Sequence, residues 1–278
     1  MKGQYTLYKI ENDSNERYHL LFLGDLHGDI RSLEYIVGKH EHTVFVICGD
    51  IGIGFESKKH ILDSFHQADE TCVFKDNYVF MLRGNHDDPK YFNYEQIEWQ
   101  RIKTVPDYSI LNVDGINCLM VGGAISIDRT YRLKKMYDKI HHLSLKHLTK
   151  EQIDEKVKKL YWHDEMPYFD SEALGKIKED GINIDIVCTH TCPSFCQPLT
   201  KEGVSYWLSK DLKLDEDLNK ERSIMDELYG NLAHDGHKIK LWCYGHFHNH
   251  SNEMIENIEF VMLNAMDIRL DIKEYIDF

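Results

Sequence analysis

Long apolar runs are missing from this chain. Nothing approaches the ~20 consecutive apolar residues a bilayer span needs, so no membrane helix is expected. Proline is scarce, at five in 278 residues, and no Pro-rich linker, internal repeat or low-complexity stretch divides the chain. The amino-terminal MKGQYTLYKIENDSNERY lacks the apolar region and small-residue cleavage site of a secretion signal. Seven cysteines form an odd set without disulfide-like spacing. Their one cluster, Cys188, Cys192 and Cys196 in CTHTCPSFC, lacks the paired C-x-x-C of structural zinc sites. Free thiols in a reducing compartment, the cytoplasm, are the expectation. A surplus of positive charge is absent as well. A net charge of −14 excludes a dedicated duplex-DNA binder, whose affinity comes largely from Lys and Arg on phosphates.

What is there reads as one globular domain. The chain is 42% hydrophobic and 29% charged, ordinary for a protein that buries a large core. Short apolar strands alternate with helical patterns, which implies layered α/β structure. Strands are expected at 19–25, 43–50, 78–87, 116–123, 182–190 and 239–246, with two more near 258–263 and 267–272. Helices are expected at 30–38, about 57–70 and around 217–232. The stretch 129–160 breaks this rhythm. Leu133, Met136, Tyr137 and Ile140 keep the i, i+3, i+4, i+7 spacing of an amphipathic helix. Thr149 with Gln152 has the form of a capping box opening a second helix, on which Ile153, Val157 and Leu160 share a face. We read 129–160 as a helical hairpin inserted into the body. Its local charge, counted from Arg129 to Lys159, is ten Lys/Arg against four Asp/Glu, an excess that would draw anions if the hairpin covers a site.

Five segments place polar, metal-capable residues just past the carboxyl end of an expected strand, the edge where open α/β sheets bind ligands. They are Gly24-Asp25-Leu26-His27-Gly28-Asp29, Gly49-Asp50, Gly84-Asn85-His86-Asp87, His190, and Gly245-His246-Phe247-His248. In Asp25-x-His27 and His246-x-His248 the single spacer lets both side chains face one side of an extended strand end. Each segment alone has a plain explanation as a turn or a hydrogen-bonded polar residue. Their conjunction points to metal. Carboxylates, an amide carbonyl and neutral imidazoles suit Mn²⁺, Fe²⁺ or Zn²⁺. Two such ions ~3.5–4 Å apart would share one ligand, polarise a phosphoryl group and activate water.

As an ordered set, GDLHGD, GD, GNHD, the lone His and GHFH resemble the signature of the calcineurin-like metallophosphoesterase superfamily over residues 19 to about 250. The resemblance implies a four-layer α/β/β/α sandwich with a dimetal site at one end. It implies Asp25, His27 and His248 on one metal ion, Asp50 bridging, and Asn85, His190 and His246 on the other. His86 would stand unligated over the phosphate as electrophile or general acid. Asp87 would either fix its tautomer and raise its pKa, or merely cap the turn. Mn is the metal expected first, with Fe, Zn or Ni as the others. In-line attack by a metal-bridging hydroxide on a phosphate ester is the implied chemistry.

GDLHG and LRGNHD are similar to the branch that contains the Ser/Thr protein phosphatases, and Arg83 matches an arginine of that branch. The Asp-Arg-Gly that the phosphatases carry after the second motif is missing, since Gly49-Asp50 continues Ile51-Gly52-Ile53-Gly54. Arg129 or Arg132 is the candidate replacement clamp, with a solvent-facing arginine at a helix start as the plainer alternative. GGAISIDRTYR and YWHDEMP resemble a bacterial and phage subgroup. The expected function is a cytoplasmic phosphohydrolase acting on a phosphorylated small molecule, nucleotide or phosphoprotein, with monoester cleavage expected first. A nucleotide or nucleic-acid phosphodiesterase is the alternative enzyme. A metal-binding interaction scaffold is the alternative of another class.

Overall fold

The computed structural model describes residues 2–11, 16–142, 149, 152 and 161–269. Two sheets lie at its centre, of five and seven strands. In the first, β2 (His19–Leu23), β3 (Thr43–Ile47), β4 (Tyr78–Met81) and β5 (Ile102–Thr104) run parallel, and β12 (Ile268–Arg269) pairs antiparallel with β2. The second has the order β1 (Thr6–Ile10), β6 (Ser109–Val113), β7 (Ile116–Val121), β8 (Ile186–Thr189), β9 (Leu241–Tyr244), β11 (Ile258–Met262) and β10 (Ser251–Ile255). Within it β7, β8, β9 and β11 are parallel to one another.

Side-chain alternation along the strands sorts these residues into layers. All five residues of β3, TVFVI, are buried, the mark of a strand covered on both faces. Val44 and Val46 meet Leu111, Met120, Cys188 and Cys243 of the other sheet. Phe45 and Ile47 instead join Leu33, Ile36 and Val37 of α1 (Ile30–Lys39) and Ile61 and Phe65 of α2 (Lys58–Phe74). The outer face of the seven-stranded sheet is covered in the same way. Leu119, Val187 and Trp242 pack on Leu174 and Ile177 of α5 (Ser171–Glu179) and on Met225 and Leu228 of α7 (Leu214–His234). Three apolar interfaces thus separate four layers, α/β/β/α, as expected.

Several short elements escape the periodicity reading. Strand β1 is an edge strand with only alternating partial burial, and β5 has three residues. Helix α5 is a nine-residue helix opened by Asp170, whose side chain accepts from the Ala173 N–H. The expected strands also overrun. Helix α3 (Lys90–Asn93) follows the third, which ends at Met81 rather than 87.

The stretch 129–160 begins as expected, with α4 (Arg129–His142). Within it Tyr137 is 47% exposed, so that position is not sealed against the body. The Thr149 N–H donates to Gln152 Oε1 at 2.9 Å and the Gln152 N–H to Thr149 Oγ1 at 3.3 Å, the capping box read from the sequence. Ile153, Val157 and Leu160, and residues 270–272 of the last expected strand, lie outside the described residues. Trp162 is buried and meets Phe55 edge-on with ring centroids 5.0 Å apart.

Candidate metal centre

The carboxyl ends of β2, β3 and β4 in one sheet and β8 and β9 in the other open to the same end of the sandwich. Each strand stops two or more residues before or directly at its donor motif, because the donors need backbone no strand supplies. His27, Asp50, His246 and His248 all have positive φ, between 47° and 69°. Such conformations are uncommon for residues with a Cβ and concentrate where surrounding structure enforces them. The enforcement is visible in the backbone. The His27 N–H donates to Asp50 O at 2.7 Å and the Gly28 N–H to Ile51 O at 2.9 Å, tying the first two motifs together. The glycines opening two motifs are needed for clearance. A Cβ on Gly84 would overlap Asp50 Oδ1, and one on Gly245 would overlap Asp25 Oδ1.

The side chains form two groups. Asp25, His27, Asp50 and His248 offer ligand atoms within 4.8 Å of one another, and Asp50, His190 and His246 do the same. Asp50 belongs to both. Asp25 and Asp50 are buried, at 0% and 1% exposure. Asp25 Oδ1 accepts the His246 N–H at 3.0 Å. Its Oδ2 lies 3.1 Å from His248 Nε2 and 3.6 Å from His27 Nε2, yet this buried oxygen has no hydrogen bond of ordinary geometry. His27 Nε2 and His248 Nε2 stand 2.9 Å apart. Two ring nitrogens and an unsatisfied carboxylate oxygen converging on one space fit a cation, which would resolve the desolvation penalty of that oxygen.

The second group fits for a different reason. His190 Nδ1 is 2.6 Å from the Cys48 carbonyl, so Nδ1 carries the proton and Nε2 faces inward. There it lies 3.2 Å from both Asp50 Oδ1 and Asn85 Oδ1. A neutral Nε2 lone pair would repel both oxygens. Burial pushes the His190 pKa down, but the Asp50 and Asp25 carboxylates outweigh it and bring it to about 9. Without an ion the ring holds a proton where an ion would otherwise sit, and metal binding would release it. Burial raises Asp25 and Asp50, while the neighbouring imidazoles win: Asp25 falls to about 2 and Asp50 well below the usual range. His246 is driven well below the ordinary histidine value by burial first and by the Lys201 ammonium. The carboxylates are therefore ionised and His246 neutral, as ligands must be.

Asn85 owes its orientation to residues the sequence reading did not select. Its Nδ2 donates to Ser126 Oγ at 2.9 Å, which aims Oδ1 at His190. Ser126 in turn donates N–H and Oγ–H to the two carboxylate oxygens of Glu165, both at 2.7 Å. Glu165 is 0% exposed, and burial pushes its carboxyl up to about 8. GGAISID and YWHDEMP thus meet through Ser126 and Glu165.

Of the remaining expected site residues, two stay at the centre and three do not. His86 lies beside it, 28% exposed at the side chain, with Nε2 4.0 Å from Asp50 Oδ2. Burial first, and then the Arg132 guanidinium, carry its pKa down to about 4 against the pull of Asp50. Arg132 donates to His86 Nε2 at 2.8 Å and also pairs with Asp128, so it faces the centre as a clamp would. Asp87 does not touch His86. Its carboxylate accepts backbone N–H groups of Ile51, Gly52, Ile53 and Gly84 at 2.8–3.1 Å. The turn-capping alternative is the correct one, and His86 is shifted down rather than up. Arg83 is 1% exposed and spends its guanidinium on Asp107 and the Glu165 and Met166 carbonyls. It builds the wall of the domain instead of gripping substrate. Arg129 is likewise committed, to Asp211 and Asp217 at 2.6 Å each.

One cation at the centre was missed. Lys201 Nζ lies 3.2 and 3.1 Å from the two ring nitrogens of His246. It sits in Leu199-Thr200-Lys201-Glu202, a polar loop with no local signal that separates it from any other.

The calcineurin-like phosphoesterase family model matches residues 18–250. No curated protein matches the chain in sequence. Among solved structures, a protein of Thermus thermophilus is 13% identical over 90% of this chain and 91% of its own, with TM-score 0.49. A dimetal phosphatase from Danio rerio is 12% identical over 96% and 88%, with TM-score 0.41. Phosphopantetheinyl hydrolase from Mycobacterium tuberculosis is 11% identical over 91% of each chain, with TM-score 0.39.

Proposed function

Because the chain belongs to the calcineurin-like phosphoesterase family, whose chemistry is metal-dependent phosphoester hydrolysis, we propose that it is a phosphomonoesterase with two divalent ions, Mn²⁺ first among them. Asp25, His27, Asp50 and His248 would hold one ion, and Asp50, Asn85, His190 and His246 the other. The observation that carries the reading is the pair of donor groups that share Asp50. Bound ions would supply Lewis-acid activation of the phosphoryl group and of water.

The protein's own groups would do the rest. Arg132 and Lys201 bring positive charge to the two sides of the centre, the electrostatic complement of a phosphate whose charge grows in the transition state. Arginine is always a donor, so His86 Nε2 accepts from Arg132 in this state. An entering phosphate would take the guanidinium, relieve the His86 ring of its cationic neighbour and favour imidazolium. The Nε2 proton could then pass to the leaving oxygen. The insertion 129–160 is part of the proposal: its first helix carries Arg132 to His86, and its excess of Lys and Arg would gather anionic substrate.

Turnover of p-nitrophenyl phosphate and bis-p-nitrophenyl phosphate by the Mn²⁺-loaded protein tests the reading. The monoester should be favoured at least tenfold in kcat/KM. The reverse preference would make the protein a diesterase, and turnover of neither would refute the hydrolase assignment.

A further inference from the structure

A cleft of about 130 Å³ starts at the second donor group and runs away from it. His246 and Phe247 form one wall, the Leu199–Lys201 loop another, and α6 (Val204–Leu208) with α7 close it. Its volume is close to that of the ~150 Å³ cavity that holds one benzene ring, and the exposed rim leaves it open to a longer ring. Polarity changes along its length. At the metal-ligand end stands the Lys201 ammonium, with the two ring nitrogens of His246 at 3.1–3.2 Å, one of which can accept its proton. The middle is apolar, made by Val204, Leu208, Leu218 and Phe247. At the outer rim Asp215 and Asn219 are exposed.

The other charges that border the cleft are already committed. Arg222 donates to the Cys192, Pro193 and Pro198 carbonyls and stacks over Phe247, its guanidinium carbon 4.9 Å from the ring centroid. It holds the loop that forms the wall and has little left for a ligand. Glu221 is 2% exposed and accepts from Thr191 Oγ1 and the Ile125 N–H. The cleft thus offers one cation beside the donor cluster, an apolar channel, and the exposed carboxylate of Asp215 at its rim.

We infer that this cleft is the leaving-group subsite, and that it takes the aromatic or heterocyclic part of a compact phosphate monoester. The inference rests on the hydrolase reading above and adds the substrate class to it. Lys201 sits on the phosphate side, and the apolar walls receive a flat ring. The acidic rim disfavours a second phosphate on that ring, which sets polyphosphates apart from monophosphates by like-charge repulsion. In the reaction the bond from phosphorus to the aryl oxygen breaks and a water oxygen bonds to phosphorus. One water proton ends on the released hydroxyl.

Phenyl phosphate and 2-naphthyl phosphate test this, since their leaving phenols have nearly the same acidity and differ in apolar area. The wild-type protein should prefer the naphthyl ester by about tenfold or more in kcat/KM, expressed mainly in KM, the scale on which apolar pockets discriminate small increments of surface. Val204→Trp, which fills the channel, and Leu218→Asn, which makes it polar, should each bring that ratio towards one. Either variant suffices if the other does not fold. Hydrolysis of both esters with a wild-type ratio near one, or a ratio unmoved by both substitutions, overturns the subsite and leaves the hydrolase reading standing. Hydrolysis of neither ester overturns the hydrolase reading and the subsite with it.

Discussion

Asp87→Ala removes an acceptor that four backbone N–H groups share, those of Ile51, Gly52, Ile53 and Gly84. All four belong to the two loops that present Asp50 and Asn85. A buried donor left without a partner costs about 1–3 kcal/mol, so the loss is on the order of 4–12 kcal/mol before compensation. Compensation exists, because the carboxylate itself is unhappy there. Burial first, and then Asp50, push the Asp87 carboxyl up from 3.8 to about 6, a penalty of roughly 3 kcal/mol that alanine does not carry. Water entering the vacated space satisfies some donors as well. The net loss expected is about 3–5 kcal/mol, a large share of the ~5–15 kcal/mol by which domains are stable. Urea denaturation of metal-free protein reads this directly. Metal content and activity should fall together with stability, since Asp50 and Asn85 lose their frame. Asp87→Asn should lie between, because its amide keeps one acceptor oxygen and turns N–H groups towards N–H groups. A loss below about 1 kcal/mol with kcat sharply reduced would refute the reasoning, because it would assign Asp87 to catalysis rather than to loop structure.

Other substitutions separate the roles further. His86→Ala should keep both metals and lose ~10²–10⁴ in kcat for a poor leaving group, with a smaller loss for p-nitrophenolate, which needs no proton; loss of the metals would make His86 a ligand. Arg132→Ala should lower kcat/KM by roughly 10–100-fold at unchanged stability. Arg129→Ala should cost about 3–5 kcal/mol of stability by stranding Asp211 and Asp217, and a pure KM effect there would return Arg129 to the substrate. Glu165 concerns pH. Its carboxyl is raised by burial from 4.5 to about 8 in the folded chain, so its stability contribution is full below about pH 4.5 and is lost as pH rises towards 8. The neutral isostere Glu165→Gln escapes that loss. It should gain on wild type by about 2–4 kcal/mol between pH 5 and 8, and a difference independent of pH would contradict the buried-carboxyl account.

The strands that carry the donors were legible because each is a continuous apolar run ending in glycine and a polar residue, as in TVFVICGD. The layers followed from the resemblance. Edge strands such as β1 and β10 were not legible: both are half-buried and short, and their pairing is decided by partners far away in sequence. The same distinction runs through the site. Asp25, His27, Asp50, Asn85, His190, His246 and His248 lie in local motifs, and the fold brings them together. Arg83 and Arg129 also looked local, but arginine's meaning depends on which carboxylates reach it, and Asp107, Asp211 and Asp217 are up to 88 residues away in the chain. Lys201, Ser126 and Glu165 carry no motif of their own. Their positions follow from tertiary contacts with His246 and Asn85, which spacing alone does not encode.

The shared position of Asp50 is the centre of this account, and metal stoichiometry tests it most directly. Metal-free protein titrated with Mn²⁺ should bind two ions per chain by elemental analysis after gel filtration, with protons released as His190 gives up its own. Asp50→Asn replaces an anionic bridge by a neutral amide and should bind one ion or none, with activity abolished. Two ions retained and turnover intact in Asp50→Asn, or a wild-type protein that binds a single ion, would contradict it.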